Sequence, residues 1–191
     1  MKKGFSAVRQ CMVALGIVLN IVGAFIALNL HLPVYLDSIG TVMNAALFGP
    51  VYGIMTGILG SLVSGFTFDI YSLYFAPVQI FTGLMAGLMF KTKWLQKGRI
   101  PVGAIAVSLP TSIVSAVICA IVFGGITSSG SSFIVQVLTK AGVNLTVSCF
   151  IVQVITDYLD KLLAVVIVTG VMAAMTGEMK EKLRGNQRGQ I

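Results

Sequence analysis

Acidic residues are scarce in this chain: six Asp and Glu stand in 191 residues, against 13 Lys and Arg. Charged residues of both signs make up 10% of it, where a soluble globular domain carries about 25%. That shortage excludes an ordinary water-soluble enzyme, and the apolar content excludes a disordered or collagen-like chain. Histidine is equally short, with His31 alone, and the three cysteines (Cys11, Cys119, Cys149) are scattered through apolar runs. No metal-ligand spacing results, and no disulfide is expected; such cysteines behave as small hydrophobes. A nucleophile–base constellation is missing, as is a G-x-x-x-x-G-K-[ST] phosphate loop. We therefore expect no catalytic residues, no metal, no cofactor and no ATP hydrolysis by this chain itself.

What is abundant is apolar. Hydrophobic residues reach 57%, and the mean hydropathy is +0.97. The whole chain, residues 1–191, reads as a single transmembrane domain whose solvent is mostly lipid. The net charge of +7 invites a nucleic-acid partner, but the cations cluster. Lys2, Lys3 and Arg9 form one group, Lys91, Lys93, Lys97 and Arg99 a second, and Lys180, Lys182, Arg184 and Arg188 a third. Each flanks a long apolar stretch, which is the positive-inside pattern of cytoplasmic helix ends rather than a nucleic-acid surface. The first apolar run, 10–30, exceeds a signal-peptide core and lacks A-x-A spacing, so it reads as a retained helix.

Parity fixes the span count. An even number of crossings must separate cytoplasmic clusters. Gly49-Pro50 breaks the long run 41–66 into two short helices. The polar-dotted segment 133–156, with Gln136, Lys140, Asn144 and Gln153, reads as an outer-side helical segment between helices 5 and 6. The expectation is an all-α integral membrane protein of six transmembrane helices, at about 10–30, 35–49, 51–66, 74–90, 102–125 and 158–177, with both termini cytoplasmic. Outer loops then fall at 31–36, 67–73 and 126–132.

Four of the six acids, Asp37, Asp69, Asp157 and Asp160, fall at predicted outer helix ends, where ionisable groups are functional candidates by default. The plainer alternatives are helix capping by Asp37 and Asp160 and an i,i+4 ion pair between Asp157 and Lys161. The stretch Gly124-Gly125-Ile126-Thr127-Ser128-Ser129-Gly130-Ser131-Ser132 is either a flexible connector or a loop that lends hydroxyls and amides to a solute. Segment 69–79 sets Tyr71 and Tyr74 beside Asp69 and Gln79, a mix that suits a flat heteroaromatic solute. Small residues recur every fourth position at Gly49, Gly53, Gly57, Ser61 and Gly65, and again at Gly83 and Gly87. They mark close helix packing, or a smooth face that meets a partner.

Several segments together resemble the substrate-binding S components of energy-coupling factor (ECF) transporters, the bacterial vitamin importers of the ABC class. They are Leu32-Pro33-Val34-Tyr35-Leu36-Asp37-Ser38-Ile39-Gly40-Thr41, Leu47-Phe48-Gly49-Pro50-Val51-Tyr52-Gly53, Phe75-Ala76-Pro77-Val78-Gln79-Ile80-Phe81-Thr82-Gly83, the 125–132 loop and Asp157-Tyr158-Leu159-Asp160-Lys161. The resemblance implies a multi-pass protein of the bacterial plasma membrane that holds one vitamin or precursor near the outer face. Its partners would be a transmembrane coupling (T) subunit and two ATPase subunits, which use the ATP. The matching binding positions are Asp37, Asp69, Tyr71, Tyr74, Gln79, Thr127, Ser128, Ser129, Ser131, Asp157 and Asp160. An A-x-x-x-A docking pair in the first helix is replaced here by Gly23-x-x-x-Ala27, with single small residues at Ala7, Ala14 and Gly16. The tyrosines suggest a pyrimidine or pyridine vitamin of the hydroxymethylpyrimidine or pyridoxine type, with cobalamin left open. Competing functions are a membrane sensor or assembly protein and a solo proton-coupled carrier.

Overall fold

The computed structural model describes residues 7–92, 94–95 and 97–177. The predicted basic groups at Lys2, Lys3, Lys93 and 180–188 lie outside them, as do Glu178 and Glu181. Among the described residues there are helices and no strands: α1 (Ala7–Asn29), α2 (Ile39–Phe48), α3 (Pro50–Thr67), α4 (Ile70–Tyr74), α5 (Ala76–Lys91), α6 (Ile100–Val117), α7 (Ser131–Lys140) and α8 (Leu145–Ala174). A π-helical turn, Ile118–Val122, continues α6. Helices Ala7–Asn29, Pro50–Thr67 and Ile100–Val122 are long and apolar enough to cross a membrane. Their outward residues, such as Val18, Phe25, Val63, Ile105 and Ile113, are large, apolar and exposed. In water that surface would aggregate. The chain is an all-α membrane protein.

Glycine sets how close the helices come. A Cβ on Gly40 would strike the Gly16 carbonyl oxygen, so α1 and α2 cross backbone on backbone. Between α3 and α5, a Cβ on Gly53 would lie 3.1 Å from Gly83 Cα, and one on Gly57 would lie 2.8 Å from Gln79 Cβ. The small-residue stripes are therefore spent on internal packing. Gly16, Gly23 and Ala27 of the expected docking face are buried in the same way, whereas Ala7 and Ala14 lie exposed on α1.

The Gly49-Pro50 break stands where the sequence places it. Gly49 has φ 98°, a left-handed conformation that glycine tolerates, and Pro50 opens the first turn of α3. Three boundaries differ from the expectation. Helix 35–49 starts only at Ile39, because 30–38 carries Pro33 and two residues with positive φ, His31 and Leu36. The expected loop 67–73 holds the short helix α4, which Asp69 caps by accepting from the Tyr71 amide. The outer segment 133–156 and the helix 158–177 are not separate units. Gly142, at φ 93°, and the N-cap Asn144 divide this region instead, and α8 runs unbroken for 30 residues. Its polar residues face inward rather than ending the helix. Asp157 and Asp160 therefore sit inside a helix, not at a helix start, and Asp160 caps nothing. Asp37 does not cap either, since Ser38 holds the N-cap position of α2 without a side-chain bond.

Charge marks the two ends of the bundle. Arg9 Nη1 donates to the Tyr52 hydroxyl at 3.2 Å, and Lys91 approaches Gly49, so basic residues of α1 and α5 meet the start of α3. The opposite end carries the 30–38 loop, α4, the 123–130 loop and α7. Between the ends lies a layer of buried polar groups. One side of it is an apolar cluster around Val42, Leu47, Val107, Val165 and Val168. The other side is a cluster around Phe75, Val78, Cys119, Val135 and Cys149.

Candidate functional site

α8 supplies the chemistry through a stripe at 153, 156, 157, 160 and 161, which helical periodicity brings to one face. Gln153, Thr156, Asp157, Asp160 and Lys161 are all buried. Opposite stands α6, whose Ser108, Ser112 and Ser115 form a hydroxyl stripe on an otherwise apolar helix. Ser115 Oγ donates to Asp157 Oδ2 at 2.6 Å. α5 brings Gln79 and α4 brings Ser72.

The fourth wall is irregular chain. A Cβ on Gly23 would strike the Leu36 carbonyl oxygen, so the 30–38 loop lies directly against α1. Gly23 is six residues before the end of α1, which at 1.5 Å per residue places Leu36 about 9 Å below the helix end. Non-helical backbone at such depth is tolerated only where protein buries it or where it lines a cavity. Both hold here. The Leu36 amide donates to Asp160 Oδ1 at 2.8 Å, and Ser38 Oγ donates to Asp160 Oδ2 at 2.6 Å. Lys161 Nζ donates to Asp160 Oδ2 at 2.7 Å. The expected Asp157–Lys161 pair is thus replaced by Asp160–Lys161, because the long lysine stem curls back to its chain neighbour. Three donors on one carboxylate are what a buried ion pair needs to offset desolvation.

Between these walls lies a cavity lined by Tyr35, Asp37, Phe75, Gln79, Gln153, Asp157 and Lys161 among others. Behind Gln79 runs a polar chain. Thr41 Oγ1 donates to Gln79 Oε1 at 2.9 Å, and Asn20 Nδ2 donates to Thr41 Oγ1 at 2.8 Å. Gln79 Nε2 in turn donates to the Asp37 carbonyl oxygen at 3.3 Å.

Aromatic rings close the loop side. Tyr35 and Phe75 have centroids 6.0 Å apart. Phe75 stacks on Phe123 at 6.1 Å, and Phe123 also meets Tyr71, tilted, at 4.7 Å and Tyr74, edge-on, at 5.2 Å. A smaller cavity adjoins across Val34 and Tyr35, lined by Asp69, Ser128 and Ser129. Asp69 Oδ2 accepts from Ser72 Oγ and from Ser128 Oγ, each at 3.0 Å. The Tyr35 hydroxyl donates to Thr127 Oγ1 at 3.4 Å, and the Gly130 amide donates to the Leu32 carbonyl at 3.1 Å. The serine-glycine loop is therefore tied down over the 30–38 loop rather than left slack.

Of the residues expected at a site, Asp37, Gln79, Asp157 and Asp160 line the larger cavity. Asp69, Ser128 and Ser129 line the smaller one. Thr127 and Ser131 hold the loop: Ser131 Oγ donates to Ser129 Oγ at 3.0 Å. Tyr71 and Tyr74 form the aromatic cluster and lie outside both linings. Sequence reasoning missed Ser115, Phe75, Gln153 and Thr156, and gave Lys161 only a pairing role. The hydroxyl stripe on α6 and the heptad-like polar stripe on α8 were the available signals. Among the described residues no three potential metal ligands gather. No protein-family model matches the chain, and neither does any curated protein or solved structure.

Proposed function

We propose that this chain is the solute-binding subunit of an ECF-type importer, an S component, and that the larger cavity is its binding site. The observation that carries the reading is a cavity with charged walls, set between membrane helices at the end away from Arg9 and Lys91. Ionisable groups held within a membrane protein are costly, and such groups mark solute pathways and binding sites. The resemblance across the 32–41, 47–53, 75–83 and 157–161 segments supports the same reading. So does the convergence of three loop regions on one mouth.

In this reading the chain crosses the bacterial plasma membrane six times, in α1, the α2 unit with its re-entrant loop, α3, α5, α6 and α8, with both termini cytoplasmic. The solute enters from outside. The cavity's ring faces and polar groups suit a single-ring pyrimidine or pyridine vitamin, with cobalamin left open. Phe75 and Tyr35 offer ring faces, and Gln79, Gln153 and Asp157 offer hydrogen bonds around the ring edge. Energy comes from a T subunit and two ATPases.

The test is calorimetric titration of the purified chain with single-ring vitamins, followed by uptake in vesicles with and without the partner subunits. Submicromolar binding by the isolated chain and uptake only with partners is the expected result. No binding across the panel, or uptake by the chain alone, overturns the reading.

A further inference from the structure

We propose that the larger cavity takes its solute as a cation, a protonated amino-heteroaromatic whose ring lies against Phe75 and Tyr35 and whose charged N–H edge meets Asp157. The proposal rests on the solute-binding reading above and narrows its chemistry.

Charge bookkeeping is the first argument. Three carboxylates, Asp37, Asp157 and Asp160, line this cavity with one cation, Lys161. Lys161 is already matched. It holds Asp160 at 2.7 Å, and that ion pair is the one formed among the described residues. The Asp160 oxygens are further occupied by the Leu36 amide and the Ser38 hydroxyl. One ammonium thus stands against three carboxylates, an excess of two, and Asp69 adds a further carboxylate beyond the shared Tyr35 wall. In a low-dielectric site an anionic solute meets net repulsion, a neutral one leaves the excess uncompensated, and a cation removes it.

The second argument is geometric. Asp157 is 8% exposed, and the one hydrogen bond it receives comes from Ser115 to Oδ2. A carboxylate has about four acceptor positions, so capacity is left on a group that lines the void. Beside it, Phe75 and Tyr35 sit with centroids 6.0 Å apart, ring faces that a cation favours over a neutral ring. No lysine or arginine other than Lys161 lines either cavity.

The test uses the purified full-length chain and matched probes. These are an aminopyrimidine and its non-basic pyrimidinone twin, a pyridine amine and its hydroxyl twin, and a pyridine carboxylate. Charge-assisted bonds predict that the basic member of a pair binds at least about tenfold tighter, with the carboxylate weakest. Asp157→Asn removes that preference, and in the unaltered protein the affinity falls as pH rises past the probe's own ring pKa. That second limb needs no variant to fold. Equal or tighter binding of the non-basic twin or the carboxylate overturns the cation proposal and leaves the solute-binding reading standing. Failure of every probe to bind overturns both.

Discussion

Lys161 donates to its chain neighbour Asp160 at 2.7 Å, while Asp157, one helical turn before Lys161, takes its hydrogen bond from Ser115 of α6. The two aspartates thereby divide two tasks. Asp160 fastens the 30–38 loop to α8 through the Leu36 amide and the Ser38 hydroxyl. Asp157 is left facing the cavity. A carboxylate that anchors a loop and one that meets a solute respond differently to substitution.

Asp160→Ala strips a buried lysine of its partner and frees two donors. Breaking a buried pair from one side costs about 3–5 kcal/mol, so a large drop in thermal unfolding temperature is expected in detergent or nanodiscs. Asp160→Asn with Lys161→Met removes both charges and recovers more than half of that loss. An unchanged unfolding temperature in Asp160→Ala would show that the pair carries no structural weight.

Two glycines give opposite signs. Gly23→Val drives a branched side chain into the Leu36 carbonyl, and overpacking of this kind costs about 1–3 kcal/mol. Solute affinity drops with it, because Leu36 and Asp37 shift together. Gly170, exposed within α8, has nothing within 4 Å of an added Cβ, so Gly170→Ala stabilises by about 0.5–1 kcal/mol. Melting curves of the two variants, run side by side, check both directions.

Asp69 ties Ser128 to α4. Asp69→Ala releases the serine-glycine loop and uncaps α4, freeing the Ser72 hydroxyl at the edge of the larger cavity. Faster amide hydrogen exchange confined to α4 and to about residues 126–132 is the expected outcome, reflecting loss of about 1–3 kcal/mol of local stability. Exchange that quickens equally in α8 would contradict a local tie.

Composition and periodicity made much of this legible. The lipid solvent followed from scarce charge and the α2–α3 break from Gly49-Pro50, whereas the spacing of four marked the small-residue stripes without deciding between inward packing and a partner face. The last helix was misread for a physical reason. Gln153, Thr156, Asp157, Asp160 and Lys161 look like an interruption when hydropathy is averaged along the chain. Sorted by helical face they are one stripe, and their cost is met by Ser115, Leu36 and Ser38 from distant segments. Those partners lie in other helices and loops, so no local window reveals them. Likewise nothing in 30–38 announces a descent beside Gly23, since that depends on two backbones meeting.

The valine-rich cluster of Val42, Val107, Val165 and Val168, each at most 1% exposed, lies beneath the polar layer like the base of a cup. In the proposed binding role, a molecule lowered in from the loop side would reach a dead end. Forward exit would then require the walls to part or the whole vessel to tip, and neither follows from motion of the mouth alone.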